Sequence, residues 1–207
     1  MINKFTPIQV LPSVQNVSMR RGDMEVCMVE ISGEEYQRCE EFSHIMWTNK
    51  KKGIWGKGMA NTTKDPHRVE RIGSLGEISL AKLVNSQVDF SYKEGGNETD
   101  LILRAKFKAE IKTATHNYGQ GLIRAEDERG KSVTLLSDIY VFGYLDEEDI
   151  NNKHARVGIV GFEIKKNIIK LDMVPAIRGK HLNYAIPYHK LQPILKLITW
   201  CEKENIP

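Results

Sequence analysis

The stretch Phe107-Lys-Ala-Glu-Ile-Lys-Thr113 decides how this chain is read. At the period of two of a β-strand, Phe107, Ala109, Ile111 and Thr113 face one side, and Lys108, Glu110 and Lys112 face the other. An apolar half and a charged half predict a strand with one face in a core. Glu110 and Lys112 are then neighbours on an exposed or cleft-facing surface. Just upstream, Thr99–Arg104 (TDLILR) is a second strand-like run, followed by a tight turn near Ala105–Lys106. Paired as a hairpin, the two strands set Asp100 beside Glu110 and Lys112. Two carboxylates that close repel by about 4 kcal/mol at an effective dielectric of roughly 20. A divalent cation between them removes that repulsion, and ligation by oxygen alone suits Mg²⁺ or Mn²⁺ better than zinc.

Working outward, Met24–Ile31 (MEVCMVEI) predicts a strand, and Ser32 with Glu35 forms a capping box for a helix that stops near Asn49. Tyr36, Cys39, Phe42 and Ile45/Met46 make its apolar stripe. A glycine-bearing basic loop, Lys50–Asp65, leads to a second helix over about Pro66–Asn85, with Val69, Ile72, Leu75/Gly76, Ser79/Leu80 and Leu83 on its buried side. Gly73 and Gly76 cost a helix about 1 kcal/mol each, so close packing or function is expected to keep them. Beyond it come a strand at Val88–Lys93 and a turn at Glu94–Glu98. Downstream of the central stretch, Asn117–Ser132 reads as a polar connection, and Asp138–Leu145 and Ala155–Phe162 as strands. Tyr188–Lys203 reads as a terminal amphipathic helix with Leu191, Leu195, Ile198 and Cys201 on one side.

This order fits a single α/β (α+β) layer structure. Residues 1–65 hold the first strand, helix and basic loop, 66–163 the core of the fold, and 164–207 a basic segment and helix packed in the same domain. At 207 residues, 28% of them charged and 41% hydrophobic, the composition is that of an ordinary globular chain. No stretch approaches the roughly 20 apolar residues of a membrane helix. Met1–Pro12 carries no apolar run of the kind a secretory signal needs. Cys27, Cys39 and Cys201 are odd in number and widely spaced, which points to reduced thiols and a cytoplasmic protein.

Formal net charge is only +3, but it is distributed in blocks. Bases outnumber acids seven to two over Trp47–Arg71 and eight to two over Asn151–Lys190. Acids outnumber bases seven to one over Asp23–Glu41 and eight to two over Glu126–Ile150. Blocks of this kind fit either a positive face for a polyanion or merely solvated faces.

The set Gly76-Glu77 on a helix, then Asp100, then Glu110-Ile111-Lys112 on a strand resembles the PD-(D/E)xK nuclease superfamily, with its restriction-endonuclease-like fold. The resemblance covers roughly Arg68–Tyr144, and Thr99 stands where the family usually has proline. It implies a central mixed β-sheet flanked by helices. Asp100 and Glu110 would hold a Mg²⁺ ion, for which Mn²⁺ can substitute. The carbonyl of Ile111 would be a third oxygen, and Glu77 would act directly or through water. Lys112 would orient and help deprotonate the attacking water.

The activity implied is metal-dependent hydrolysis of DNA phosphodiester bonds, with a site-specific endonuclease of restriction or homing type expected first. A structure-selective repair or junction nuclease and an exonuclease follow. A non-catalytic nucleic-acid-binding or assembly protein on the same fold is the rival from another class. Lys50, Lys51, Lys52, Trp55 and Lys57 are the expected DNA contacts, because lysines neutralise phosphates and a tryptophan can stack on a base. Their bland alternative is a loop whose tryptophan packs on the core. Lys165, Lys166, Lys170, Arg178 and Lys180 form a weaker second patch. Blunt double-strand cutting needs two active sites, so a homodimer is expected.

Three other patterns are set aside. A second Glu-Ile-Lys, at 163–165, lacks a preceding Gly-Glu helix, and Asp149 upstream of it belongs to an acidic turn. Ala125–Ser132 matches a loose phosphate-loop spacing, but its acids would repel phosphate and a strand-like run follows. His44, His67, His116, His154, His181 and His189 show no metal-ligand spacing, though His116 could support the site from behind.

Overall fold

The computed structural model describes residues 13–19, 22–49, 65, 67–88, 90, 100–115, 119–127, 129–176 and 181–203. The protein is mixed α/β. Its strands are β1 (Ser13–Met19), β2 (Gly22–Ser32), β3 (Leu101–Leu103), β4 (Phe107–Ala114), β5 (Gln120–Arg124), β6 (Ile139–Asp149), β7 (His154–Ile164), β8 (Met173–Pro175), β9 (Leu182–Pro187) and β10 (Gln192–Pro193). The α-helices are α1 (Glu34–Asn49), α2 (Arg68–Leu83), α3 (Lys165–Ile168) and α4 (Ile194–Glu202). A central seven-stranded sheet runs β1-β2-β7-β6-β4-β3, with β10 added along β7. Among the described strands only β4 and β6 pair in parallel, and the described part of their connection carries β5 and no helix. A smaller sheet, β5-β9-β8, is antiparallel. The early strand β2 and the late strand β10 thus share one sheet, because both bond to β7.

Both faces of the large sheet are covered, which is why Ile139–Leu145 is apolar without alternation. Ile139, Val141 and Leu145 pack with α1, α2 and α4, alongside Cys27, Val29 and Ile31 of β2. Tyr140, Phe142 and Tyr144 enter a second core with Val26, Met28, Ile123 of β5 and Ile186 of β9. Gly121 lies so close over the Phe142 ring that an added Cβ would overlap it. Phe142 is fully buried, and truncating such a ring costs about 3–5 kcal/mol.

The helices lie where the stripes put them, with corrections at their ends. On α1, Tyr36, Cys39 and Phe42 are buried, but Ile45 is exposed and Ser43 takes its place inside. On α2, Val69 is exposed while Ile72, Leu75, Ser79, Leu80 and Leu83 are buried. Gly76 abuts β4, and any side chain there would strike Thr113 Oγ1, whereas an added Cβ on Gly73 would meet nothing within 4 Å among the described residues. Close packing therefore explains one glycine of the pair.

The terminal helix is shorter than its periodicity predicts. Tyr188–Lys190 is a single 3₁₀ turn, then comes β10, and α4 starts only after Pro193. Proline lacks an N–H and disfavours helix in the residue before it, so the helix begins at Ile194. Leu195 then turns outward, and Ile194 and Leu197 replace it inside. Asn117–Ser132 is not merely a polar connection, since it contains β5, with Gly121 and Ile123 inward. Val88 and Phe90 pack against the core outside any strand, and 91–99 lie beyond the described residues. Cys27, Cys39 and Cys201 are buried free thiols. Among the described residues no helix is long and apolar enough to cross a membrane.

Candidate active site

The site is built on the β3–β4 hairpin. Arg104 and Ala105 both take positive φ, 49° and 57°, and Lys106 N–H donates to Leu103 O at 3.2 Å. Two successive left-handed residues make the tight turn whose twist matches paired strands. Leu101 therefore pairs with Ala109 and Leu103 with Phe107, and Arg104, expected at the end of the strand, belongs to the turn. Beyond the last pair, Asp100 N–H donates to Ala109 O at 3.2 Å, and Ile111 N–H donates to Asp100 Oδ2 at 2.7 Å. The Asp100 carboxylate is thus held against the backbone between Glu110 and Lys112. The N–H and C=O of one strand residue point to the same edge, so the Ile111 carbonyl lies on the Asp100 side.

Glu110 and Lys112 share a face of β4, and their carboxylate and ammonium form an ion pair. Glu77 comes from α2, which is anchored at its start by a buried network. Arg71 Nε donates to Glu148 Oε1 at 2.6 Å and Arg71 Nη2 to Asp65 Oδ2 at 2.6 Å. Tyr36 O–H donates to the same Glu148 oxygen at 3.1 Å. The close Gly76–Thr113 approach then sets the height of Glu77 over β4.

Electrostatics tie the four groups together. Enclosure by protein pushes the Glu77 carboxyl up to about 8, with repulsion from Asp100 and then Glu70 adding to it. Burial pushes Asp100 up to about 6, aided by the Glu110 charge and opposed by the Ile111 N–H and by Lys112. Carboxyls held above their ordinary range mark negative charge that the protein leaves incompletely compensated. Oxygens alone are what a hard dication prefers, and Asp100, Glu110, Glu77 and the Ile111 carbonyl are the groups here that could hold one. Among the described residues, no three His, Cys, Asp or Glu side chains are already gathered as a metal-ligand cluster, and Glu110 spends its charge on Lys112.

One member of the site escaped the sequence reading. Tyr140 of β6 stands in register with Glu110, is almost fully buried, and hydrogen-bonds the Glu110 carboxylate. Ser137 N–H donates to its oxygen at 3.4 Å. Burial foremost, then the Glu110 charge, push this phenol up to about 12, so it stays protonated as a donor. Its one signal was a hydroxyl amid the apolar run Ile139–Leu145.

The remaining expectations separate cleanly. Lys50, Lys51, Lys52, Trp55 and Lys57 lie outside the described residues, as do His116, Arg178 and Lys180. Ala125–Ser132 is a turn: Asp127 Oδ1 accepts from Arg129 N–H at 2.8 Å and Lys131 N–H at 2.9 Å, and no helix follows. The rings of His44 and His67, distant in sequence, meet in a tilted contact at 4.6 Å between centroids. Compared with protein-family models, with curated proteins and with solved structures, the chain finds no match in any of the three.

Proposed function

We propose that this protein is a Mg²⁺-dependent DNA endonuclease of the PD-(D/E)xK type, hydrolysing phosphodiester bonds. The observation that carries the reading is Asp100 fastened to the Ile111 N–H, between the two members of a Glu110–Lys112 pair and within electrostatic reach of Glu77. When bound, the cation supplies Lewis acidity at a phosphoryl oxygen and a water of lowered pKa. The chain's own residues do the rest. Asp100 and Glu110 present oxygens on one side of the hairpin, and Tyr140 keeps the Glu110 carboxylate from turning. Lys112, 42% exposed, is the group that can reach a phosphate and orient the attacking water. A mixed sheet in which the site strand β4 runs parallel to β6 supports a restriction-endonuclease-like fold.

Site-specific cutting of restriction or homing type, by a homodimer, is the first reading. Structure-selective and end-dependent cleavage follow, separated by linear, circular and branched substrates. The direct test is supercoiled plasmid with Mg²⁺, wild type against Asp100→Ala and Lys112→Ala. Loss of nicking in both supports the reading, and undiminished nicking in both overturns it.

One observation favours the non-catalytic rival: Glu110 is already neutralised by Lys112. Thermal unfolding with and without Mg²⁺ separates the two. Metal at a hundredfold its dissociation constant stabilises a real site by about 2.7 kcal/mol.

A further inference from the structure

On the helix-covered face of the large sheet, away from Glu110, Lys112 and Tyr140, a cleft of about 690 Å³ opens between α4 and the ends of β4, β6 and β7. Its volume is in the range of small-molecule sites. Ile139, Ile164, Ile169 and Leu197 give it an aliphatic floor, and Ile169 is 54% exposed there. Phe162 in the lining is buried, and the other two aromatic residues engage each other instead of offering an open stacking platform. Phe107 and Trp200 meet edge to face at 5.1 Å, and the Arg104 guanidinium lies 4.5 Å over the Trp200 ring. Lys165 and Lys166 from α3 and Lys196 from α4 line the cleft, and among the described residues none of the three is in an ion pair with a carboxylate. The one acid in the lining, Asp138, has an oxygen taken by the Lys108 N–H at 3.0 Å.

We propose that this cleft binds a small amphipathic anion, an aliphatic carboxylate, with its chain on the isoleucine–leucine floor and its head group among Lys165, Lys166 and Lys196. The aliphatic floor selects the body of the ligand. Three ammonium groups contributed by two separate elements select the charge of its head. The cleft is separate from the candidate active site, since Glu77, Asp100, Glu110, Lys112 and Tyr140 are not among its lining residues.

Isothermal titration of the full chain with dodecanoate, below its micelle concentration, tests this. One saturable site is expected. Dodecanol, the same chain without charge, binds about tenfold more weakly or worse. The surface variant Lys165→Gln/Lys166→Gln/Lys196→Gln lowers dodecanoate affinity by about the same factor. A second variant, Leu197→Ala, weakens dodecanoate and dodecanol together. No saturable binding, equal binding of the alcohol, or an unaffected triple variant overturns the proposal. So does displacement of dodecanoate by deoxyadenosine monophosphate, which assigns the cleft to nucleotides.

Discussion

The tripeptide Glu-Ile-Lys stands at 110–112 and again at 163–165, and the two copies share a row of the same sheet. Glu110 on β4 pairs in register with Tyr140 on β6, which pairs in turn with Glu163 on β7. Yet the first copy lies within a strand, with Glu110 and Lys112 on one face. In the second the strand ends at Ile164, and Lys165 opens α3 and turns elsewhere. Glu163 is buried with one oxygen accepting from Ile164 N–H at 2.9 Å, Asn167 Nδ2 at 2.8 Å and Gln192 Nε2 at 3.1 Å. Its upstream acid, Asp149, caps the far end of the β6–β7 hairpin, bonded to Asn151 and Asn152. Glu110 instead has a second carboxylate across the hairpin and a lysine beside it. Glu163 is saturated and serves structure, whereas beside Glu110 the carboxyls of Asp100 and Glu77 are left with repulsion that a ligand could relieve.

The largest expected effect separates the copies by activity. Lys112→Ala should slow plasmid nicking by about a hundred- to ten-thousandfold, while Lys165→Ala leaves it unchanged; initial rates in Mg²⁺ measure both. Stability should separate them the other way. Glu163→Ala strands three donors and should cost about 1–3 kcal/mol in urea unfolding, whereas Glu110→Ala relieves repulsion on Asp100 and costs less.

The pH dependence sharpens the contrast further. Glu77 and Asp100 have folded pKa values raised above the ordinary 4.5 and 3.8. The stability they contribute is complete below those ordinary values and is lost as pH rises through about 6 and then 8. With metal chelated, melting temperature should therefore fall across that window. Glu77→Gln should flatten the upper part, and Mg²⁺ should restore the lost stability. The smallest effect belongs to the shared neighbour. Tyr140→Phe should cost about 1 kcal/mol of Glu110 positioning, read as a roughly fivefold fall in nicking rate with substrate KM unchanged.

These contrasts show what a sequence can carry. Alternation in Phe107–Thr113 identified β4, and the adjacent turn residues gave the hairpin that sets Asp100 opposite it. Those are local rules acting within about ten residues. The partnership of Glu110 with Tyr140 was hidden, because it depends on the register of a parallel pair whose connection is long. β5 was hidden for a related reason: Gly121 and Ile123 alternate over only five residues, and their burial is decided by Phe142 from another strand. The start of α4 was misjudged where helical periodicity outweighed Pro193, which ends the argument locally and without regard to apolar spacing.

The pairing of β2 with β7, Cys27 opposite Ile159, carries a consequence for biosynthesis. While the ribosome is still short of β7, the nascent chain has only β1 to cover one flank of β2. The β2 edge that β7 covers, running past Val26, Cys27, Met28 and Val29, all sealed in the finished protein, then stands open to other chains. Prematurely terminated products that stop before Ile164 should therefore be holdase clients and collect in inclusion bodies.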